Sequence, residues 1–231
     1  MRLFAPPSLA ELAETFGTDK NAQHRYAQHY ARHFGPLRQQ PLTLLEIGIG
    51  GYHDVRAGGH SLRMWKAYFP KAQIVGIDCY NKKPLEEPRI TTFRGSQTDE
   101  AFLHRVIAQI GTPQIIIDDG SHKSPDVIAT FECLFPLLDG HGLYVIEDLQ
   151  TSYWTQAAGI DWGGSEDLEA PHTSMNYLKR LVDGLHYEEF NDKHKRVTPF
   201  DASIIGLHFY HNLLFIEKGR NQEGSINVLR K

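Results

Sequence analysis

Cysteine is scarce: Cys79 and Cys133 are the two thiols in 231 residues. That number and spacing exclude a disulfide framework and a C-x-x-C redox or zinc motif, so both read as structural residues of a reducing compartment. Long apolar runs are also missing. No stretch approaches the roughly 20 residues of a membrane span, and Met1 to Phe16 carries prolines and acids where a signal peptide needs its apolar run. The expectation is therefore a cytoplasmic chain with no membrane partner. The formal charge is −4, with no basic block and no interleaving of Lys or Arg with aromatics, which argues against nucleic acid. There is no internal repeat, and the loosest stretch is Gln150 to Pro171, rich in Gly, Ser, Thr and acids.

What remains is an ordinary globular composition, with 41% apolar and 23% charged residues, enough for one α/β domain with a proper core. Ser8 with Glu11 three residues on reads as the capping box of a first helix, and a second helix is expected over Arg25 to Phe34. Apolar runs bounded by turn residues then predict strands at Leu42–Gly48, Gln73–Asp78, Ile90–Phe93, Gln114–Asp118 and Gly142–Ile146. Helical patterns lie between them at Leu62–Tyr68, Glu100–Ile110 and Pro125–Leu138. Such alternation indicates a parallel sheet covered on both faces. At the end, Ser203–Tyr210 and Leu213–Lys218 flank His211-Asn212, the spacing of an antiparallel hairpin. Five parallel strands closed by an antiparallel pair make the seven-stranded, Rossmann-like α/β fold of the class I methyltransferases. We expect a single domain over 1–231, with an N-terminal helical segment at 1–40 and an active-site lid at 150–172.

The first strand ends Glu46-Ile47-Gly48-Ile49-Gly50-Gly51-Tyr52, an acid ahead of glycines at the carboxyl end of a parallel strand, where ligands of such sheets bind. His53 stands where the third glycine of G-x-G-x-x-G should be, which weakens the case for a pyrophosphate cofactor. The second strand ends in Asp78, a carboxylate suited to both ribose hydroxyls of an adenosine. After the third strand, Ser96 and Gln97 offer hydrogen-bonding groups for an adenine edge, although a plain surface turn has the same composition.

The fourth strand runs into Asp118-Asp119-Gly120-Ser121-His122 and the fifth into Glu147-Asp148. Neighbouring strands lie about 4.8 Å apart, so acids at two strand ends can converge, and like charges that close call for a cation. Carboxylate oxygens without clustered Cys or His suit Mg²⁺ or Mn²⁺. Three carboxylates on an ion with about six sites leave about three for water and substrate oxygens. One acid, Asp118, is expected to cap the following helix, with a place among the metal ligands left open. His122, three residues after Asp119, is placed to act as a proton acceptor. The remaining histidines, His24, His29 and His33 on one helical face and His208 and His211 in the hairpin, are assigned no chemistry.

These segments, together with Gly17-Thr18-Asp19-Lys20, Gly58-Gly59-His60-Ser61-Leu62-Arg63-Met64-Trp65-Lys66, Leu149-Gln150-Thr151-Ser152-Tyr153-Trp154 and Thr173 through Phe190, resemble the class I S-adenosylmethionine-dependent sugar O-methyltransferases of the mycinamicin VI 2''-O-methyltransferase and demethylmacrocin O-methyltransferase type. The resemblance implies that Asp119, Glu147 and Asp148 hold Mg²⁺ and that His122 is the general base. It also implies that Tyr52, Asp78, Ser96 and Gln97 help bind S-adenosylmethionine. The full candidate cofactor set is Glu46, Gly48, Gly50, Tyr52, Ser61, Asp78, Ser96, Gln97 and Asp119. The macrolide enzyme carries a further N-terminal domain used in its assembly, so the expectation here is the catalytic part, with a homo-oligomer left open. Gln150, Tyr153 and Trp154 would line the acceptor pocket beneath the lid. The expected acceptor is a small hydroxylated molecule carrying a sugar or vicinal diol, as in antibiotic biosynthesis. A catechol-like phenol, a nicotinamide oxidoreductase and a silent cofactor-binding subunit are the rival readings.

Overall fold

The computed structural model describes residues 5–191 and 196–225. Residues 1–4 of the N-terminal segment considered above lie outside the described residues. The chain falls into two compact units that meet between Gly120 and Ser121.

The first unit opens with α1 (Leu9–Phe16), α2 (Asp19–Ala22) and α3 (Ala27–Phe34). Ser8 and Glu11 close the anticipated capping box, Ser8 N donating to Glu11 Oε2 at 2.7 Å and Glu11 N to Ser8 Oγ at 3.2 Å. Gly17, at φ 69°, ends α1 in the left-handed conformation that glycine adopts without strain. Then follow β1 (Thr43–Ile47), α4 (His60–Tyr68), β2 (Gln73–Asp78), β3 (Ile90–Arg94), α5 (Glu100–Ile110) and β4 (Ile115–Asp118). The strands pair in the order β3-β2-β1-β4, all parallel. The near-unbroken burial of β1, β2 and β4 is what a parallel sheet covered on both faces demands.

Tyr30 and Phe34 of α3 pack on Trp65 of α4 at ring-centroid distances of 4.9 and 5.6 Å, and Phe34 also meets Phe69 at 5.6 Å. All four rings are buried. Arg89 closes the far end of α4 by donating to the carbonyls of Lys66, Phe69 and Ala72.

The second unit contains α6 (Ser124–Leu134), β5 (Leu143–Ile146), the short ribbon β6 (Gln156–Ala157) with β7 (Ile160–Asp161), α7 (Ser174–Gly184), β8 (Ile204–Tyr210) and β9 (Leu213–Lys218). The anticipated hairpin is present: β9 pairs antiparallel with both β8 and β5, and Asn212 takes φ 62° at its turn, a conformation Asn tolerates. Lys218 Nζ donates to the carbonyls of Phe135, Pro136 and Leu138 at 2.7–2.9 Å, satisfying the turn that follows α6. The seven strands form a mixed sheet in the order β3-β2-β1-β4-β5-β9-β8. The sequence pattern missed α2, the β6–β7 ribbon and the helical character of 174–184, and it ran α6 on to Leu138, where a 3₁₀ turn at Phe135–Leu137 intervenes.

Replacing Phe34 by Ala removes a ring packed on both Trp65 and Phe69 and should lower folding stability by about 3–5 kcal/mol. The midpoint of urea unfolding measures this, and a shift worth under about 1 kcal/mol would mean that the aromatic cluster is not the core of its unit.

Candidate active site

In the first unit the candidate residues gather at the carboxyl ends of the strands. Gly48 follows β1 at φ 89°, and its Cα lies so near the Asp119 carbonyl that any side chain there would overlap Asp119 O and C. Gly50 and Gly51 also have positive φ, and Tyr52 continues the run at 44°. Gly51 and Gly58 press on the backbone across the same loop, leaving no room for a Cβ at either. Below the loop the buried Lys82 Nζ donates to Asp54 O at 2.8 Å and Ala57 O at 3.0 Å. Asp78 braces the turn: Oδ2 accepts from Ile49 N at 3.0 Å and Oδ1 from Tyr80 N at 2.8 Å. A carboxylate has about four acceptor positions, so Asp78 keeps capacity for further hydroxyl donors. Tyr52 stands 80% exposed at the rim.

Glu46 lies deeper. It is fully buried, with Oε2 accepting from Ser61 Oγ at 2.8 Å and Oε1 from Trp65 Nε1 at 3.2 Å. Lys20 Nζ is 3.4 Å from Glu46 Oε1 and 2.9 Å from Asp119 Oδ2. The two acids offer oxygens within 4.8 Å of one another. Burial holds the Glu46 carboxyl above the ordinary range; the Lys20 ammonium pulls it back down and the Asp119 charge pushes it up. Ser61 and Glu46, both expected at the cofactor, are thus bonded to each other, and Glu46 is already served by three donors.

Two further candidates meet at the end of β4. Asp118 Oδ1 accepts from Gln97 Nε2 at 3.2 Å and from Gly120 N at 3.3 Å. Here the expectation is corrected: Asp118 caps no helix, since Lys123 occupies the N-cap of α6, and its carboxylate instead fixes Gln97 against Gly120. Ser96, the neighbour, is exposed and pairs with Thr98 Oγ1 at 2.9 Å.

The second unit carries the remaining acids and the histidine. Glu147 is buried, and Asp148 Oδ2 lies 3.8 Å from His122 Nε2. Both His122, at φ 56°, and Asp148, at φ 54°, have left-handed backbones, a conformation that costs a non-glycine residue about 1–2 kcal/mol. Strain of this kind persists where surroundings enforce it, and Thr151 does so, its Oγ1 donating to His122 O at 2.6 Å and contacting Asp148 O at 3.1 Å. Gln150 Oε1 is buried and accepts no hydrogen bond among the described residues. Tyr153 and Trp154 are exposed, and the Trp154 ring meets that of Trp162 edge-on at 6.0 Å.

The segment expected to act as a lid is tied down more firmly than its composition suggests. Ser165 N donates to Ser152 O at 3.0 Å, Ser124 N to Trp162 O at 2.9 Å and Met175 N to Ser152 Oγ at 3.1 Å. Sequence reasoning assigned no role to Lys20, Thr151 or Lys82, although Lys20 and Thr151 stand in the segments that carry the resemblance. No periodicity marks them: each is a lone polar residue in or beside a turn, recognisable only once its partners are in space.

No protein-family model matches the chain. It is 45% identical over 227 residues to the 8-demethyl-8-alpha-L-rhamnosyl tetracenomycin-C 2'-O-methyltransferase of Streptomyces olivaceus, covering 97% of this chain and 58% of that protein. It is 44% identical over 223 residues to the mycinamicin VI 2''-O-methyltransferase of Micromonospora griseorubida, covering 95% and 55%. Among solved structures, the MycE methyltransferase in complex with Mg, SAH and mycinamycin VI superposes with a TM-score of 0.90 at 43% identity, over 96% of this chain and 56% of that one. The chain therefore spans a little over half the length of the curated relatives it matches. Within that span, it is a homologue of the O-methyltransferases that act on glycosylated natural products.

Proposed function

We propose that this chain transfers the methyl group of S-adenosylmethionine to a hydroxyl of a sugar, or of a similar vicinal diol, on a small glycosylated acceptor, with a divalent ion such as Mg²⁺. The observation that carries the reading is the bare glycine turn after β1. Its backbone is pressed against Asp119 and braced by Asp78, which suits a cofactor whose ribose seeks a carboxylate and whose approach a side chain would block. Homology to enzymes of this activity supports it.

The residues fit both groups. Asp119, Glu147 and Asp148 supply hard carboxylate oxygens of the kind Mg²⁺ prefers. Bound there, the ion would act as a Lewis acid that favours the ionised form of the acceptor hydroxyl. Asp78 would receive the ribose hydroxyls, Gln97 and Ser96 the adenine edge, and Gly48, Gly50 and Tyr52 would line the approach. Glu46 would serve the pocket from behind by fixing Ser61. His122 takes the proton of the acceptor hydroxyl on its imidazole, whose Nε2 lies 3.8 Å from Asp148 Oδ2. Tyr153, Trp154 and Gln150 orient the acceptor and exclude water. Holding the two reactants in attacking geometry supplies much of the rate, since orientation alone is worth up to about 7–11 kcal/mol in good cases.

Two measurements test this. Calorimetric titration of metal-stripped protein with S-adenosylmethionine should show binding, with NAD giving none; preference for NAD would overturn the assignment of Asp78 and the glycine turn. His122→Asn keeps a residue that tolerates the left-handed backbone but removes the base. Turnover on a diol acceptor should fall at least tenfold, general-base catalysis being worth roughly 10²–10⁴ in full, while affinity for S-adenosylhomocysteine stays unchanged. Unchanged turnover would remove His122 from the mechanism.

A further inference from the structure

Lys20 belongs to a four-residue helical turn near the start of the chain and is 1% exposed. A lysine that deep needs anionic partners, and among those it meets are Asp119 Oδ2 at 2.9 Å and Glu46 Oε1 at 3.4 Å. Its backbone is also anchored. Thr18 Oγ1 accepts from Lys20 N at 3.1 Å, and His60 Nδ1 hydrogen-bonds Phe16 O at 2.7 Å, tying the segment to the first residue of α4. Asp119 is in turn gripped at three points: its N donates to Ile47 O at 2.9 Å, its carbonyl abuts Gly48, and its carboxylate meets Lys20.

We propose that Lys20 is a positioning residue for the reaction: from behind the pocket, its buried ammonium fixes the direction in which the Asp119 carboxylate faces a metal ion. The inference rests on the reading of Asp119 as a metal ligand given above. It makes the N-terminal segment a working part of the site rather than a support for α4. The competing explanation is that Lys20 only neutralises Glu46, which could not otherwise stay charged in a dry interior.

The double variant K20M/E46Q separates the two. Methionine and glutamine keep approximate shape, one charge of each sign is lost, and the net charge around Asp119 is unchanged. Replacing both partners of a buried pair also avoids the penalty of leaving one behind, so the double variant should melt close to wild type even where K20M alone fails to fold. Mn²⁺ is the probe, its free concentration followed by electron paramagnetic resonance. Because the net charge near the site is unchanged, charge alone predicts little change in Mn²⁺ affinity, so a loss reports misplacement. Lys20 as a positioning residue predicts at least a tenfold weaker Mn²⁺ affinity in K20M/E46Q, at a melting temperature near that of wild type. An affinity within threefold of wild type would overturn the inference and leave Lys20 as a counter-charge to Glu46. A wild-type chain that takes up no Mn²⁺ would overturn the metal reading of Asp119, and this inference with it.

Discussion

The candidate site of the first unit depends on one close approach. The chain leaves β1 through Gly48 directly against the peptide of Asp119, a packing that tolerates no Cβ. Gly48 N donates to Ile77 O and Asp119 N to Ile47 O, both at 2.9 Å, so three adjacent strands end in register around that point. Asp78 can reach the amide of Ile49 and Glu46 can share Lys20 with Asp119 because the strand ends are held together there. Substitution of Gly48 would act on all of these at once, which is why a residue without a side chain can matter as much as any that carries chemistry.

Close packing of strand ends brings a second constraint, that of charge. Acids at the mouth of a parallel sheet are useful because they lie near one another, and for the same reason they repel. The chain answers with partners of different kinds. Glu46 takes hydroxyl, indole and ammonium donors. Asp78 takes backbone amides, and Asp118 takes an amide side chain together with a backbone N–H. Each carboxylate is thus oriented by neighbours before any ligand arrives, the preorganisation that makes fixed charges effective in a dry site.

Much of this architecture was legible in the sequence, because it rests on short-range rules. β2, α5 and β9 fall on their expected bounds, and the other anticipated strands and helices shift by a few residues at most, because burial on both faces writes unbroken apolar runs and helices write their own period. The capping box at Ser8 and the turn at His211-Asn212 were likewise local signals. What escaped, apart from the helix α7, was short or defined by distant partners. α2 is a single turn held by Thr18 and by contacts to residues far along the chain. The β6–β7 ribbon pairs two residues with two, too few to show alternation. Asp118 looked like a cap because an acid before a helix usually is one; its real partner, Gln97, lies on another segment. The acids and His122 could be picked out by position at strand ends, whereas the cation set among Glu46 and Asp119 had to come from a segment a hundred residues from Asp119.

The stapling of the segment after β5 bears on how such a scaffold can diversify. Ser152 binds Ser174 Oγ at 2.6 Å as well as the amides of Met175 and Ser165, so both ends of the excursion are fixed near one serine. Chain between fixed ends lengthens at a cost of only about 0.6 kcal/mol for each doubling. The ribbon and its tryptophans therefore form a cassette, free to change length and composition while the strand ends and their acids stay put.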